Sequence, residues 1–370
     1  MIYLDNGATS FYKPVGVADA VRRAMFTCAN PGRGGYPAAM AAARTVLRCR
    51  EQAAELFDCQ PEQVVFTSNC THGLNIAIKT IVKPGDRVVI SGFEHNAVTR
   101  PLHALGADVV VAGRKLFDWN DTLEQFEGAL KKGVKAAVFT HCSNVFAYIL
   151  PVAQMAALCR QYGVPFILDA AQSAGTLPVQ LGQLGAAFIA MPGHKGLLGP
   201  QGTGLLLCSD TPKPLLEGGT GSNSIDQQMP DFLPDRVEAG TLNVPGIAGL
   251  EAGLSYLRQV GIKRILQREK QAAQHCAQGL QKLGLRVFTG EHQAGTVSFV
   301  PETDCEEYAR KLADRGIAVR AGLHCAPLAH KSAGTLDTGT VRVSFGHEGS
   351  IRQAEAFLGV VKSLCQSEKN

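Results

Sequence analysis

The sequence predicts an α/β protein: a mostly parallel seven-stranded sheet flanked by helices, followed by a smaller C-terminal α+β unit. Three observations lead there. Short β-rich runs alternate with helix-period segments through the first two-thirds of the chain. Several of those runs are apolar throughout, as strands covered on both faces are. Past residue 245 the order changes to a long helical stretch and then strands mixed with helices.

Taken in order, VVFTS (64–68), RVVISG (87–92), DVVVAG (108–113), KAAVFTH (135–141), VPFILDA (164–170), AAFIAM (186–191) and GLLLCS (204–209) read as strands. THGLNIAIKTIV, DTLEQFEGALKKG and VAQMAALCRQYG read as helices that end near Gly or Lys. Residues 212–245 are rich in Gly, Pro, Ser and Asn and read as loop. One long helical stretch, GIAGLEAGLSYLRQVGIKRILQREKQAAQHCAQGLQKLG, follows. LRVFTG, TVSFV, GIAVR and TVRVSF then read as strands around helices near 304–315 and 350–366. The expected division is a large unit at 15–245 and a small α+β unit made of 1–14 and 246–370.

Composition narrows the function. A chain of 370 residues with 45% hydrophobic and 18% charged residues can bury a large core and is not disordered. A net charge of +4 without a run of five basic residues argues against nucleic acid as a partner. Eleven cysteines without a CxxC argue against a zinc ribbon or a thioredoxin-like motif. No apolar stretch approaches the ~20 residues of a membrane helix, and MIYLDNGATS lacks an apolar leader. A cytoplasmic protein with reduced thiols and no membrane partner is expected.

The chemistry is carried by polar residues that follow strands. Asp169 ends ILDAAQSAG, where a carboxylate can keep a pyridine nitrogen protonated. Taken alone, it reads equally well as a capping or turn residue. Lys195 lies in MPGHKGLLGPQGTG, whose glycines let backbone approach a ligand closely, although a lone lysine is most often a surface charge. TSNCTHGLNIAI passes from strand to polar turn to helix, so Thr71 and the N–H groups of Cys70 and His72 can take a phosphate or simply cap the helix. His95 follows the next strand, and Asn144 and Gln172 follow two further strands; His95 can stack on a planar ring or move a proton. Each is also an ordinary turn residue, and the argument rests on their joint position at one end of the sheet.

Cys325 in VRAGLHCAPLAHK sits in a Gly- and Pro-flanked loop with basic neighbours, a setting suited to a nucleophilic thiol. With eleven cysteines present, any one of them is far more often structural. A metal site of Cys325, His324 and His330 lacks a fourth ligand at sensible spacing. Arg342, 17 residues on, can take a carboxylate bidentately or form an ion pair.

Together YLDNGATS, NPGRGGY, TSNCTHGLN, EHNAV, HCSNV, DAAQSAG, GHKGLLGPQGTG, EAGTLNVPGIAG, RAGLHCAP and VRVSF resemble the cysteine desulfurase and selenocysteine lyase family, within the class V aminotransferase group of fold-type I pyridoxal-phosphate (PLP) enzymes. The resemblance implies Lys195 as the Schiff-base lysine, Asp169 on the pyridine nitrogen and His95 stacked on the ring. It implies Asn144 and Gln172 near the ring hydroxyl, and Thr71 and His194 at the phosphate. Arg342 would hold the substrate carboxylate and Cys325 would be the nucleophile. Thr241 would reach the phosphate of a neighbouring subunit, which implies a homodimer. The expected reaction converts L-cysteine to L-alanine and leaves a persulfide on Cys325 for an acceptor protein. A selenocysteine lyase, a cysteine sulfinate desulfinase and a non-catalytic sulfur-transfer scaffold are the alternatives. Pro192, His72, Ala147-Tyr148 and His347 to Ser350 depart from the family pattern; Pro192 weakens one phosphate contact only, and the others leave the preferred substrate open.

Overall fold

The computed structural model describes residues 1–32 and 34–367; Arg33 of the NPGRGGY motif lies outside them. The chain opens with β1 (Ile2–Tyr3) and two helices, α1 (Val15–Thr27) and α2 (Pro37–Phe57). The large sheet then follows as β2 (Val64–Thr67), β3 (Arg87–Ser91), β4 (Asp108–Ala112), β5 (Ala136–Thr140), β6 (Phe166–Asp169), β7 (Phe188–Pro192) and β8 (Gly204–Cys208). Its spatial order is β2-β8-β7-β6-β5-β3-β4. Only β8 runs against the rest, pairing antiparallel with β7 and β2. The expected mostly parallel sheet is therefore present, and its apolar runs have their cause. Every residue of β2, β5, β6, β7 and β8 is buried.

Helices cover both faces. α3 (Cys70–Ile81) and α4 (Asn96–Ala104) pack on one face, through residues such as Leu74, Ile78, Val98 and Leu102. α2, α5 (Trp119–Lys131) and α6 (Val152–Tyr162) cover the other, through Phe57, Phe126 and Met155. The first turns are set by side-chain caps of about 1 kcal/mol each: Asn69 accepts from His72 N–H at 2.9 Å, and Asp118 from Asp121 N–H at 2.9 Å.

The order reverses beside β3. The chain moves outward from β3 to β4 and returns on the far side of β3 as β5. Ligands in open α/β sheets bind outside the carboxyl ends of the strands at such a reversal.

Beyond the short α7 (Leu181–Leu184) and β8, the expected single helical stretch is two helices, α8 (Val244–Val260) and α9 (Ile262–Lys282). Gly261 at φ +85° breaks it, a conformation that costs glycine little. Then come β9 (Arg286–Phe288), β10 (Thr296–Val300), α10 (Cys305–Ala313), β11 (Ile317–Ala318), β12 (Arg320–Gly322), α11 (Pro327–Ala333), β13 (Thr340–Ser344) and α12 (Ile351–Ser367). A four-stranded antiparallel sheet runs β12-β13-β10-β9. GIAVR, expected as one strand, splits: β11 pairs with β1, and β12 pairs with β13. A separate core joins Leu4 to Ala272, Phe299, Tyr308 and Phe357. α8 packs against α1 and α2, with Ile247, Leu250 and Leu254 in the large-sheet core. We propose on that packing that the joint between the units lies inside α9, between Ile265 and Ala272, rather than at 245/246. Among the described residues no helix is long and apolar enough to cross a membrane.

Candidate active site

Five parallel strands, β2, β3, β5, β6 and β7, end at one edge of the large sheet, and each is followed by a polar residue singled out in the sequence. Cys70, Thr71, His95, Asn144, Asp169, Gln172, His194 and Lys195 line one pocket there. The loop carrying Lys195 is clamped. Gly193 N–H donates to the Thr203 carbonyl at 2.8 Å. A Cβ at Gly193 would collide with the Thr203 hydroxyl, and one at Gly196 with the Ala174 carbonyl. These two glycines let the turn close around Lys195.

Lys195 is half-buried, and burial pushes its ammonium below the ordinary lysine range, with Arg342 and Arg320 adding to the effect. Asp169 is 2% exposed. Its Oδ1 accepts from Ala171 N–H at 2.9 Å and from the Cys70 thiol at 3.4 Å, while Oδ2 has no protein donor among the described residues. His95 caps α4: its Nδ1 accepts from Ala97 N–H at 3.0 Å, which puts the ring hydrogen on Nε2. Burial holds this imidazole below its ordinary pKa, so it is neutral at pH 7. His194 pairs through Nδ1 with the Thr9 hydroxyl at 3.1 Å, and burial lowers it to about 4. Gln172 donates to the Gly7 carbonyl at 2.9 Å.

At the start of α3, the N–H groups of Cys70 and Thr71 have no protein acceptor among the described residues. The His72 N–H, expected as a third anion donor, is taken by the Asn69 cap. Thr241 is absent from this pocket. It is exposed and lines a separate groove with Arg50 and Glu238.

Cys325 does not line the pocket but is fastened to its rim. Its carbonyl accepts from Asn96 N–H at 2.8 Å, directly after His95. Asn144 Nδ2 donates to the His324 carbonyl at 2.8 Å. His324 and Cys325 have φ of +49° and +56°, sparsely populated for residues with side chains. The buried His324 ring holds this turn through Nε2 and the Thr340 carbonyl at 3.1 Å. No metal-binding cluster of His, Cys, Asp or Glu is present among the described residues. Cys325 is exposed, with an Arg320 guanidinium nitrogen 3.9 Å from Sγ.

Arg342 is 1% exposed. It bonds Asp5 at 2.5 Å and the Asn144 carbonyl at 3.0 Å, and its Nε has no partner among the described residues. A Cβ on Gly7 would sit 3.1 Å from its guanidinium carbon, so glycine there makes room for the head group beside the pocket wall.

The aminotransferase class-V family model matches residues 2–357. The chain belongs to that family. As a class-V aminotransferase it is 32% identical, over 99% of its own length and 95% of the relative's, to a probable cysteine desulfurase of Pyrococcus abyssi. It is 33% identical, over 93% of its length and 89% of the relative's, to a probable cysteine desulfurase of Methanothermobacter thermautotrophicus. Among solved structures, the apo cysteine desulfurase of Thermococcus onnurineus superposes with a TM-score of 0.90 at 32% identity, covering 99% of this chain and 95% of that one. The fold is the type I fold of these PLP enzymes.

Two buried acids of this class-V aminotransferase escaped the sequence reading. Glu94, just before His95, spans the reversal point: its carboxylate takes the Ser91 hydroxyl and N–H from β3 and the Thr140 N–H from β5. Burial raises it to about 8. The pair Glu-His in EHNAV was the available signal, but only the folded sheet shows that the acid ties β3 to Thr140 on β5, 46 residues beyond it. Glu269 on α9 faces an inner cavity that Lys195, Gln172 and Cys142 also line. It is 7% exposed, it has no hydrogen-bond or ionic partner among the described residues, and burial raises it to about 8.

Glu269 sets a pH dependence of stability. Below pH ~4.5 the carboxyl is protonated in both the folded and unfolded chain and costs nothing. As pH rises from there to about 8, the unfolded chain ionises while the folded one does not, so stability falls across that window by on the order of a few kcal/mol. Glu269→Gln should therefore melt several degrees higher than wild type at pH 9 and close to it at pH 5. Parallel melting curves at both pH values check this; equal shifts at both would show that the carboxyl is not held neutral by the fold.

Proposed function

We propose that the chain is a PLP-dependent cysteine desulfurase, turning L-cysteine into L-alanine and passing the sulfur to Cys325 as a persulfide. The observation that carries the proposal is the meeting of Lys195, Asp169 and His95 in one pocket, with the exposed Cys325 fastened to its rim by the bond from Asn96 N–H to the Cys325 carbonyl. The names of the full-length relatives point the same way.

The residues present suit the cofactor. Among the described residues Asp169 Oδ2 is an acceptor without a protein donor, and Asn144 Oδ1 is a buried acceptor without a partner. Asp169 would hold the ring nitrogen, His95 the ring face, and Asn144 and Gln172 the ring hydroxyl. The N–H groups of Cys70 and Thr71, with His194, would take the phosphate. Bound there, PLP supplies an electron sink for the pair left at the substrate Cα.

Lys195 would remove and return the Cα proton, since its lowered pKa leaves more of it as free amine. Cys325 Sγ would attack the substrate sulfur: the S–S bond forms, the Cβ–S bond breaks, and Cβ takes a proton to give alanine. The Nε2–H of His95 would move a proton at the departing sulfur. Arg320 sets a guanidinium beside the attacking sulfur.

Arg342 would receive the substrate carboxylate by exchanging it for Asp5. Arg342→Lys keeps the charge but loses the fork, so KM for L-cysteine should rise about tenfold or more while kcat changes less. Steady-state kinetics test this; an unchanged KM would place the carboxylate elsewhere.

Thr241 stands exposed in its own groove, which supports a homodimer in which it would serve the phosphate of the partner subunit. The protein would act in the cytoplasm and hand its sulfur to an acceptor protein. A selenocysteine lyase is the second reading, and the position of Cys325 outside the pocket lining favours it, because the weaker C–Se bond can break without a thiol's help: selenium would leave as Se(0), and the bonding pair would stay at Cβ and take a proton to give alanine. Alanine release from L-cysteine, L-selenocysteine and cysteine sulfinate, measured side by side, separates the readings. A preparation that takes up no PLP would reject both.

A further inference from the structure

Cys70 was singled out for its backbone N–H, yet its side chain makes a contact of its own. The thiol lies 3.4 Å from Asp169 Oδ1, and both residues are buried in the floor of the pocket. Burial and the neighbouring carboxylate push this thiol well above its ordinary pKa, so it remains S–H and can only donate toward Asp169. Oδ1 thus carries two donors, the Ala171 N–H and the Cys70 S–H, whereas Oδ2 carries none from the protein.

We propose that Cys70 is a positioning residue that tunes the cofactor through Asp169, by withdrawing charge from the carboxylate and turning its free oxygen toward the pocket. The inference rests on the PLP reading above and deepens it. A hydrogen bond to an anion drains negative charge from both oxygens of a carboxylate. With the S–H in place, Asp169 therefore raises the proton affinity of the ring nitrogen less than a bare carboxylate would. The same bond fixes the carboxylate rotamer, because Oδ1 is held from two sides. The other titratable groups that face Asp169 are Lys195, His95 and Glu94. All three stay in place when Cys70 is changed, so its effect can be read apart from theirs.

The test is made on holoenzyme loaded with PLP carrying an isotope label at the ring nitrogen. The nitrogen NMR signal is followed against pH for wild type, Cys70→Ala and Cys70→Ser. Cys70→Ala removes the donor and should hold the nitrogen proton about fivefold more strongly than wild type. Cys70→Ser keeps a donor and should stay within about twofold of wild type. Equal displacement in both variants would mean that the side chain acts by packing alone and would overturn the proposal, as would no displacement in Cys70→Ala. If Cys70→Ala does not fold, Cys70→Val, which fills the space without a donor, takes its place with the same expected displacement, and an unmoved signal there overturns the proposal in the same way. Failure to bind PLP would defeat the functional reading itself. Normal binding with an unmoved signal would defeat only the role of Cys70.

Discussion

Lys195→Ala should lose activity toward L-cysteine by on the order of a thousandfold or more, because it removes the group proposed to take the Cα proton. The structure also predicts what it should keep. Asp169, His95 and the free N–H groups at the start of α3 do not depend on the lysine side chain for their hydrogen bonds. The variant should therefore still bind PLP, but without the covalent link and with weaker retention. Burial disfavours the charged lysine in the empty pocket, so its loss should leave the melting temperature of the cofactor-free protein unchanged or higher. Lys195→Arg, which keeps a cation and cannot act as a base, should be equally inactive. Near-normal turnover in either variant would move the proton-transfer role to another residue.

Cys325→Ala should reduce sulfur transfer from L-cysteine by about a thousandfold, while selenocysteine turnover stays within about tenfold of wild type. The contrast follows from chemistry: the C–S bond needs a nucleophile at sulfur, and the C–Se bond breaks more readily. The variant should fold normally. The side chain is exposed, and the loop is held by the Asn96–Cys325 backbone bond, the Asn144–His324 bond and the His324–Thr340 contact, none of which uses the thiol. Trapped persulfide should be found on wild-type Cys325 after a single turnover. Alanine formation from L-cysteine at the wild-type rate in Cys325→Ala would show that the thiol is not the nucleophile.

Much of this arrangement could be read before the fold was known, and for a physical reason. Strands buried on both faces leave continuous apolar runs, and a parallel sheet sends the residue after each such run to the same edge. This is why Cys70, His95, Asn144, Asp169 and Lys195 share a pocket although 125 residues separate the first from the last. Long-range pairings were not legible. Asp5 meets Arg342 across 337 residues, and Glu94 joins β3 to β5 only once both strands are in register. The break at Gly261 was hidden because the apolar pattern continues across it, and only φ +85° reveals the turn. GIAVR was long enough for one strand but divides its pairing between β1 and β13. The His72 N–H looked available until Asn69 was seen to cap it, since a cap depends on side-chain direction as well as on residue type.

The central claim is that PLP is bound covalently to Lys195 beside Asp169, and reduction with borohydride followed by peptide mapping tests it most directly. The pyridoxyl mark is predicted on the peptide that contains Gly193, His194 and Lys195, and on no other. A mark on a different lysine, or none, would contradict the account.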